Sequence, residues 1–173
     1  MFNLPLLRIA TIGVIVMMAV MWWTGRPMGP GGILCFEFAG TLQNADEIMG
    51  RWGERGRVAA LLHTRLDFIF ILFYASWGFL SLRSLGAGEP LKWLRDAARF
   101  LSYAMLMAGV MDIFENLCMT QVMGGSRLEF YPRAAWWLAG IKFVCISMSL
   151  LLMLVLWGRK QIEKISGSRT LGG

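Results

Sequence analysis

Histidine occurs once in this chain of 173 residues, cysteine three times, and charged side chains make up only 16% of it. Each scarcity closes off a class of chemistry. A single His63 leaves no second imidazole for bis-histidine haem ligation within one chain and argues against a transition-metal site. Cys35, Cys118 and Cys145 form no C-x-x-C pair, so the dithiol relay of four-helix quinone-linked oxidoreductases is missing; Cys118 and Cys145 read as small core residues. No glycine-rich loop follows a strand, which removes support for nucleotide binding. Ser147 and Ser149 have no evident base to activate them as nucleophiles. Neither a cofactor nor a metal is expected.

What the chain has instead is apolar mass: 57% hydrophobic residues, with 8 Trp, 11 Phe and 13 Met. That is the composition of an integral membrane protein. Four windows have the roughly 20-residue length that a ~30 Å hydrocarbon core demands, approximately 6–24, 58–82, 99–122 and 134–157. The first resembles a signal peptide in position. Its apolar run from Ile9 to Trp23 nevertheless ends in Trp-Trp-Thr-Gly-Arg-Pro rather than at a small-residue cleavage site, so a retained helix is expected.

Short connections between the later spans leave no room for a soluble domain. The expected fold class is all-α, a single membrane domain over 1–173 built as a four-helix up-and-down bundle. Basic residues orient it. With the N-terminus inside, Arg8, Arg83, Lys92, Arg95, Arg99, Arg159, Lys160, Lys164 and Arg169 lie on the cytoplasmic side, nine against six outside (Arg26, Arg51, Arg55, Arg57, Arg127, Arg133). Both termini are therefore expected in the cytoplasm. The net charge of +6 is spread over span flanks, where lipid headgroups lie, and not along a nucleic-acid-binding stripe. Membrane lipid is the expected partner, with no nucleic acid. The segment from Arg159 to Lys164 reads as a stop-transfer anchor.

Only the 25–57 connection is large. It opens with Gly-Arg-Pro-Met-Gly-Pro-Gly-Gly, which cannot be helix, and passes through an apolar stretch containing Glu37. Beyond that, Leu42, Ala45, Ile48, Met49, Trp52, Val58 and Ala59 recur at helical spacing opposite a charged side. Asn44 and Glu47 can form a capping box. An extra amphipathic helix is expected here, starting near Asn44, lying on the outer membrane surface as a cover or a lid and able to continue into the second span.

Asp67, Asp112, Glu115 and Lys142 are the residues that such a composition makes conspicuous. Each costs roughly 2.5–3.5 kcal/mol at a helix centre facing lipid, so they should face one another. In an up-and-down bundle Asp67 lies nine residues from Val58, Asp112 ten from Val122 and Lys142 eight from Ala134. All three therefore fall at nearly one depth, about 12–15 Å below the outer edge. Lys142 should be within ion-pair reach of Asp112 or Glu115.

Residues three, four and seven apart share a helix face. This extends the polar positions into stripes: His63, Asp67, Phe70 and Tyr74; Met105, Ala108, Asp112, Glu115 and Met119; Leu138, Lys142, Cys145 and Ser149. The stripes would line a pocket polar at its outer end and apolar toward the middle, suited to a small amphipathic, lipid-like ligand. Its expected ligand-binding residues are Glu37, His63, Asp67, Tyr74, Asp112, Glu115, Asn116 and Lys142. Asp112, Glu115 and Lys142 are the candidates for any catalysis, the acids as proton donor or acceptor and the lysine holding a developing negative charge. Three acids face one certain base, since Arg65 can turn inward or snorkel out. A low-dielectric site resolves such an excess by keeping a proton or accepting a cation. Asp112, deeper than Glu115, is expected to lack a polar neighbour on its inner side. A purely structural ion-pair network registering the helices is the competing account, as in a subunit of a membrane assembly. Transport would require a homo-oligomer such as a dimer, because four short spans contain no broken helix.

The segments Phe36-Glu37-Phe38-Ala39-Gly40-Thr41, Arg65-Leu66-Asp67-Phe68-Ile69-Phe70 with Tyr74, Asp112-Ile113-Phe114-Glu115-Asn116, and Lys142-Phe143 resemble, in order, a group of small uncharacterised four-helix bacterial integral membrane proteins. The resemblance covers most of the chain and implies a bacterial inner membrane, but no activity. In architecture alone the chain is similar to the emopamil-binding and sigma-2-receptor-like family, whose acidic residues from separate helices face a sterol-sized cavity. No residue-by-residue match supports carrying over that family's catalytic roles.

Overall fold

The computed structural model describes residues 4–170, with side chains through residue 163. Lys164, expected to end the anchor of the last span, and Arg169, expected on the cytoplasmic side, lie outside the described side chains. Five α-helices and a 3-10 turn follow in order: α1 (Leu4–Gly25), the turn (Arg26–Met28), α2 (Gly32–Glu37), α3 (Leu42–Gly86), α4 (Lys92–Met123) and α5 (Phe130–Thr170). No strand occurs among the described residues. The chain is an all-α bundle in which α1, α3, α4 and α5 are each long and apolar enough to cross a membrane. All four expected spans lie inside these helices.

Their outward faces are apolar. On α1, Ile9, Ile12 and Ile15 are each about 60% exposed, as are Leu151 and Leu154 on α5, surfaces that suit lipid and not water. Hydroxyls on α1 turn back onto their own helix: Thr11 Oγ1 donates to the Leu7 carbonyl at 2.8 Å and Thr24 Oγ1 to that of Val20 at 2.9 Å. Polar groups within the span are thereby satisfied locally.

Small residues set how closely the helices approach. A Cβ added at Gly109 of α4 would sit 3.1 Å from Ala75 Cβ of α3, and one at Gly86 would sit 2.7 Å from Ala98 Cβ. Where α1 meets α3, a Cβ at Gly13 would fall 2.1 Å from the Phe73 ring. Such contacts let backbones pack by dispersion where lipid removes the hydrophobic drive. The helices do not form a closed ring, however. The array runs α1, α3, α4, α5, with α1 packed on α3 and, among the described residues, no extensive interface between α1 and α5.

The expected amphipathic helix exists and is continuous with the second span, with two differences. It begins at Leu42, because Thr41 takes the cap: its Oγ1 accepts from Asn44 N at 3.2 Å, while Asn44 Nδ2 donates to the Ala39 carbonyl. Its apolar face is also buried in protein and not laid on the membrane surface. Ala45, Ile48 and Trp52 pack with Met28, Phe36, Met119, Val122 and Ala135 in one cluster, and Trp52 lies 5.3 Å from the Phe36 ring. Within α3, Gly53 adopts φ 60° and ψ −171°, a break that suits only glycine. The break resets the helical phase. Val58, expected on the apolar face, is 58% exposed, whereas Gly56 and Ala60 turn inward.

The two remaining turns are stapled by charge. Leu42 N donates to both Glu129 carboxylate oxygens at 3.3 Å, and Arg127 pairs with Asp46, joining the α4–α5 turn to the start of α3. At the other end Glu89, only 4% exposed, accepts from Arg159 Nη2 at 3.1 Å and from Leu91 N at 3.2 Å.

Candidate functional site

Three helices meet at one lysine. Lys142 of α5 is 4% exposed, and its Nζ lies 2.8 Å from Glu115 Oε2, 2.9 Å from Asp112 Oδ1 and 3.5 Å from Glu37 Oε2. The ion pair expected from matched depth is therefore present, to both acids of α4. Glu37 reaches it because the Gly29–Gly32 turn brings α2 back over the bundle mouth. Gly29, Gly31 and Gly32 all hold positive φ, which no other residue would adopt there without strain.

Around this centre, Tyr74 Oη donates to Asp112 Oδ2 at 2.8 Å, and Asn116 Nδ2 donates to Asp67 Oδ2 at 2.7 Å. Asp112 was expected to lack a polar neighbour on its inner side; Tyr74, about two turns deeper along α3 than Asp67, fills that place. The carboxyl without a hydrogen-bond donor is Glu115, 0% exposed: its approach to Lys142 is close but misaligned for a hydrogen bond. Arg65 is exposed and adds no charge to the cluster, so Lys142 is the only described lysine or arginine paired with Glu37, Asp112 and Glu115, while Asp67 is held by Asn116.

Glu37 stands outside the spanning helices, and burial pushes its carboxyl above the usual range; Asp112 adds to the rise and Lys142 opposes it. Lys142 alone faces three carboxylates, and a proton held on Glu37 would relieve that excess of negative charge. The linkage has a definite sign. A carboxyl raised in the folded state binds its proton more readily there than in the unfolded chain, so stability is lost as pH climbs from 4.5, its ordinary value, through the folded one. Glu37→Gln, which mimics the protonated form, should flatten that decline in melting temperature. Parallel slopes for the two proteins would show that Glu37 does not carry the proton.

The cluster closes one end of a cavity of about 910 Å³ between α1 and α5. His63, Asp67, Phe70 and Tyr74 of α3 all line it, as their spacing implied. On α4 only Met105 and Asp112 do; Ala108, Glu115, Asn116 and Met119 are buried in helix packing instead. On α5 the stripe is rotated from the expected one. Lys142 is followed by Phe143, Ile146 and Leu150, whereas Ser149 is turned toward α4 with Oγ 3.5 Å from the Leu101 carbonyl. Spacing alone allowed either diagonal through Lys142, and the long stem of lysine reaches the acids from both.

One wall was not anticipated. Val14, Met18 and Trp22 of α1 line the cavity, and no polar residue on that helix marked the side. Trp22 sits at the rim with the Arg26 guanidinium 5.1 Å from its ring centre, and His63 Nδ1 lies 3.2 Å from Thr24 Oγ1, tying α1 to α3 at the mouth. Deeper, the walls are Trp77, Met105 and Leu150. The cavity is thus acidic and hydrogen-bonding at one end and apolar along its length, with Phe143 placed 4.9 Å from Lys142 Nζ.

Fold and site together define a helical membrane-protein class with a buried polar cluster at the head of an apolar cavity. Beyond that class, no protein family, curated protein or solved structure matches the chain.

Proposed function

We propose that this multi-pass protein resides in a bacterial inner membrane with both termini cytoplasmic, and binds a small amphipathic, lipid-like ligand. The ligand's head meets Asp67, Asp112, Lys142 and Glu37, and its apolar body lies between α1 and α5. The observation that carries this reading is the cavity: about 910 Å³, within the size range of small-molecule sites, apolar along its walls, polar at one end and unsealed on the side where α1 and α5 share no extensive interface. A ligand with one polar end is the complement of that shape. The resemblance to small bacterial four-helix membrane proteins supports the location, and the excess of arginine and lysine around the α3–α4 turn and in the C-terminal part of α5 supports the orientation.

A second reading is structural. Lys142 gathers three carboxylates by itself, a network able to register α2, α4 and α5 in an assembly subunit without any ligand. A catalytic reading is narrower than before: Asp112 and Lys142 reach the cavity, whereas Glu115 stands behind them and would act only through Lys142.

Native mass spectrometry of gently extracted protein distinguishes these. A discrete co-purifying small molecule is expected, and Ile146→Trp, which fills the apolar half of the cavity, should abolish it. Bare protein held to a stable heteromeric partner would instead favour the structural reading.

A further inference from the structure

At the end of the bundle away from Lys142, α3 and α4 enclose a second, smaller pocket of about 270 Å³. Its floor is apolar and tight: Leu82 is 0% exposed, Ala98 1%, and Gly86 permits the close approach of the two helices. Its rim is three guanidinium groups, Arg83, Arg95 and Arg99, with Asp96 as the one acid. We infer that this pocket holds the phosphate of an anionic phospholipid headgroup.

Charge balance is the first support. None of the three arginines pairs with a carboxylate among the described residues. The nearest other acid in the turn, Glu89, is already engaged by Arg159 and buried, so it does not neutralise the rim. With Asp96 counted, the rim carries two positive charges in excess, and the guanidinium fork matches a phosphate's oxygens in pairs. Arg95 is held in place, its Nη1 donating to the Glu89 carbonyl at 3.2 Å, so part of the site is ordered in advance.

Depth is the second. Trp93, on the first turn of α4, and Phe100, next to Arg99, are 66% and 72% exposed. Aromatic side chains presented outward at a helix end mark the membrane interface, the level at which phosphates lie. Size is the third, since 270 Å³ accepts a headgroup and leaves the acyl chains in the bilayer.

The test is lipid retention in native mass spectra of the protein in detergent, with dioleoylphosphatidylglycerol and dioleoylphosphatidylethanolamine as competing probes. The anionic lipid should be retained preferentially. Arg83→Gln with Arg99→Gln should lower its retention by about tenfold or more, from two lost basic contacts. Arg127→Gln, an exposed arginine at the opposite end, should leave it unchanged. The double variant removes only rim side chains, and an unchanged melting temperature confirms its fold. Equal retention of the two lipids, or full retention by the double variant, would overturn the inference. Displacement by inorganic phosphate at matched concentration would also overturn it, by assigning the pocket to a free anion.

Discussion

Lys142→Met should lower thermal stability in detergent by about 3–5 kcal/mol, the cost of leaving buried carboxylates without their counter-charge. The size follows from the geometry. Lys142 Nζ is within 3.5 Å of three acids on two other helices, and all four groups are nearly inaccessible to water. Adding Asp112→Asn to the lysine change should recover part of the loss, because the amide still accepts from Tyr74 Oη without bringing a charge. Single and double variants would be compared by melting curves under the same conditions. If they melt alike, Lys142 and Asp112 do not act as a pair.

Trp52→Ala should have an effect of similar size, about 3–5 kcal/mol, but confined to one region. Trp52 is the largest side chain in the cluster that seats the 25–57 connection on the ends of α4 and α5, and it packs on Phe36 one residue before Glu37. Its removal takes away the support beneath α2 while leaving the α3–α4–α5 contacts deeper in the bundle intact. The expected result is rapid tryptic cleavage at the exposed Arg51 and Arg55, and weaker retention of a cavity ligand, before any loss of global helicity. Cleavage at the wild-type rate would mean that the connection is held by other contacts.

Much of the site was legible in the sequence because charge in an apolar segment is so costly that its neighbours can be inferred. Asp67, Asp112 and Lys142 share a depth when each is counted from its own span end, and the network they form follows from that count. Tyr74 joined it by helical spacing alone. Glu37 was identifiable as a polar residue in an apolar stretch, although its reach into the cluster depends on the glycine turn before it. Other features left no mark of that kind. The side of α1 facing the cavity carries only apolar residues, on a helix that is apolar all round, so no pattern oriented it. The rotation of the α5 stripe was equally hidden, since Lys142 lies on two possible diagonals. At Gly53 a single backbone angle shifted the phase of everything after it, and Val58 went from the inner face to the outer one.

α1 is secured along one flank only, at contacts such as Gly13 against Phe73, while its other flank forms a wall of the cavity. The acids and the lysine are all on the other elements. Under the proposed ligand-binding function, admission and selection are consequently separable: the bulk of a guest would meet α1, and its polar end α2, α3, α4 and α5. A substitution at the α1–α3 seam would change which bodies fit without altering which heads are accepted, and evolution or design could vary either alone.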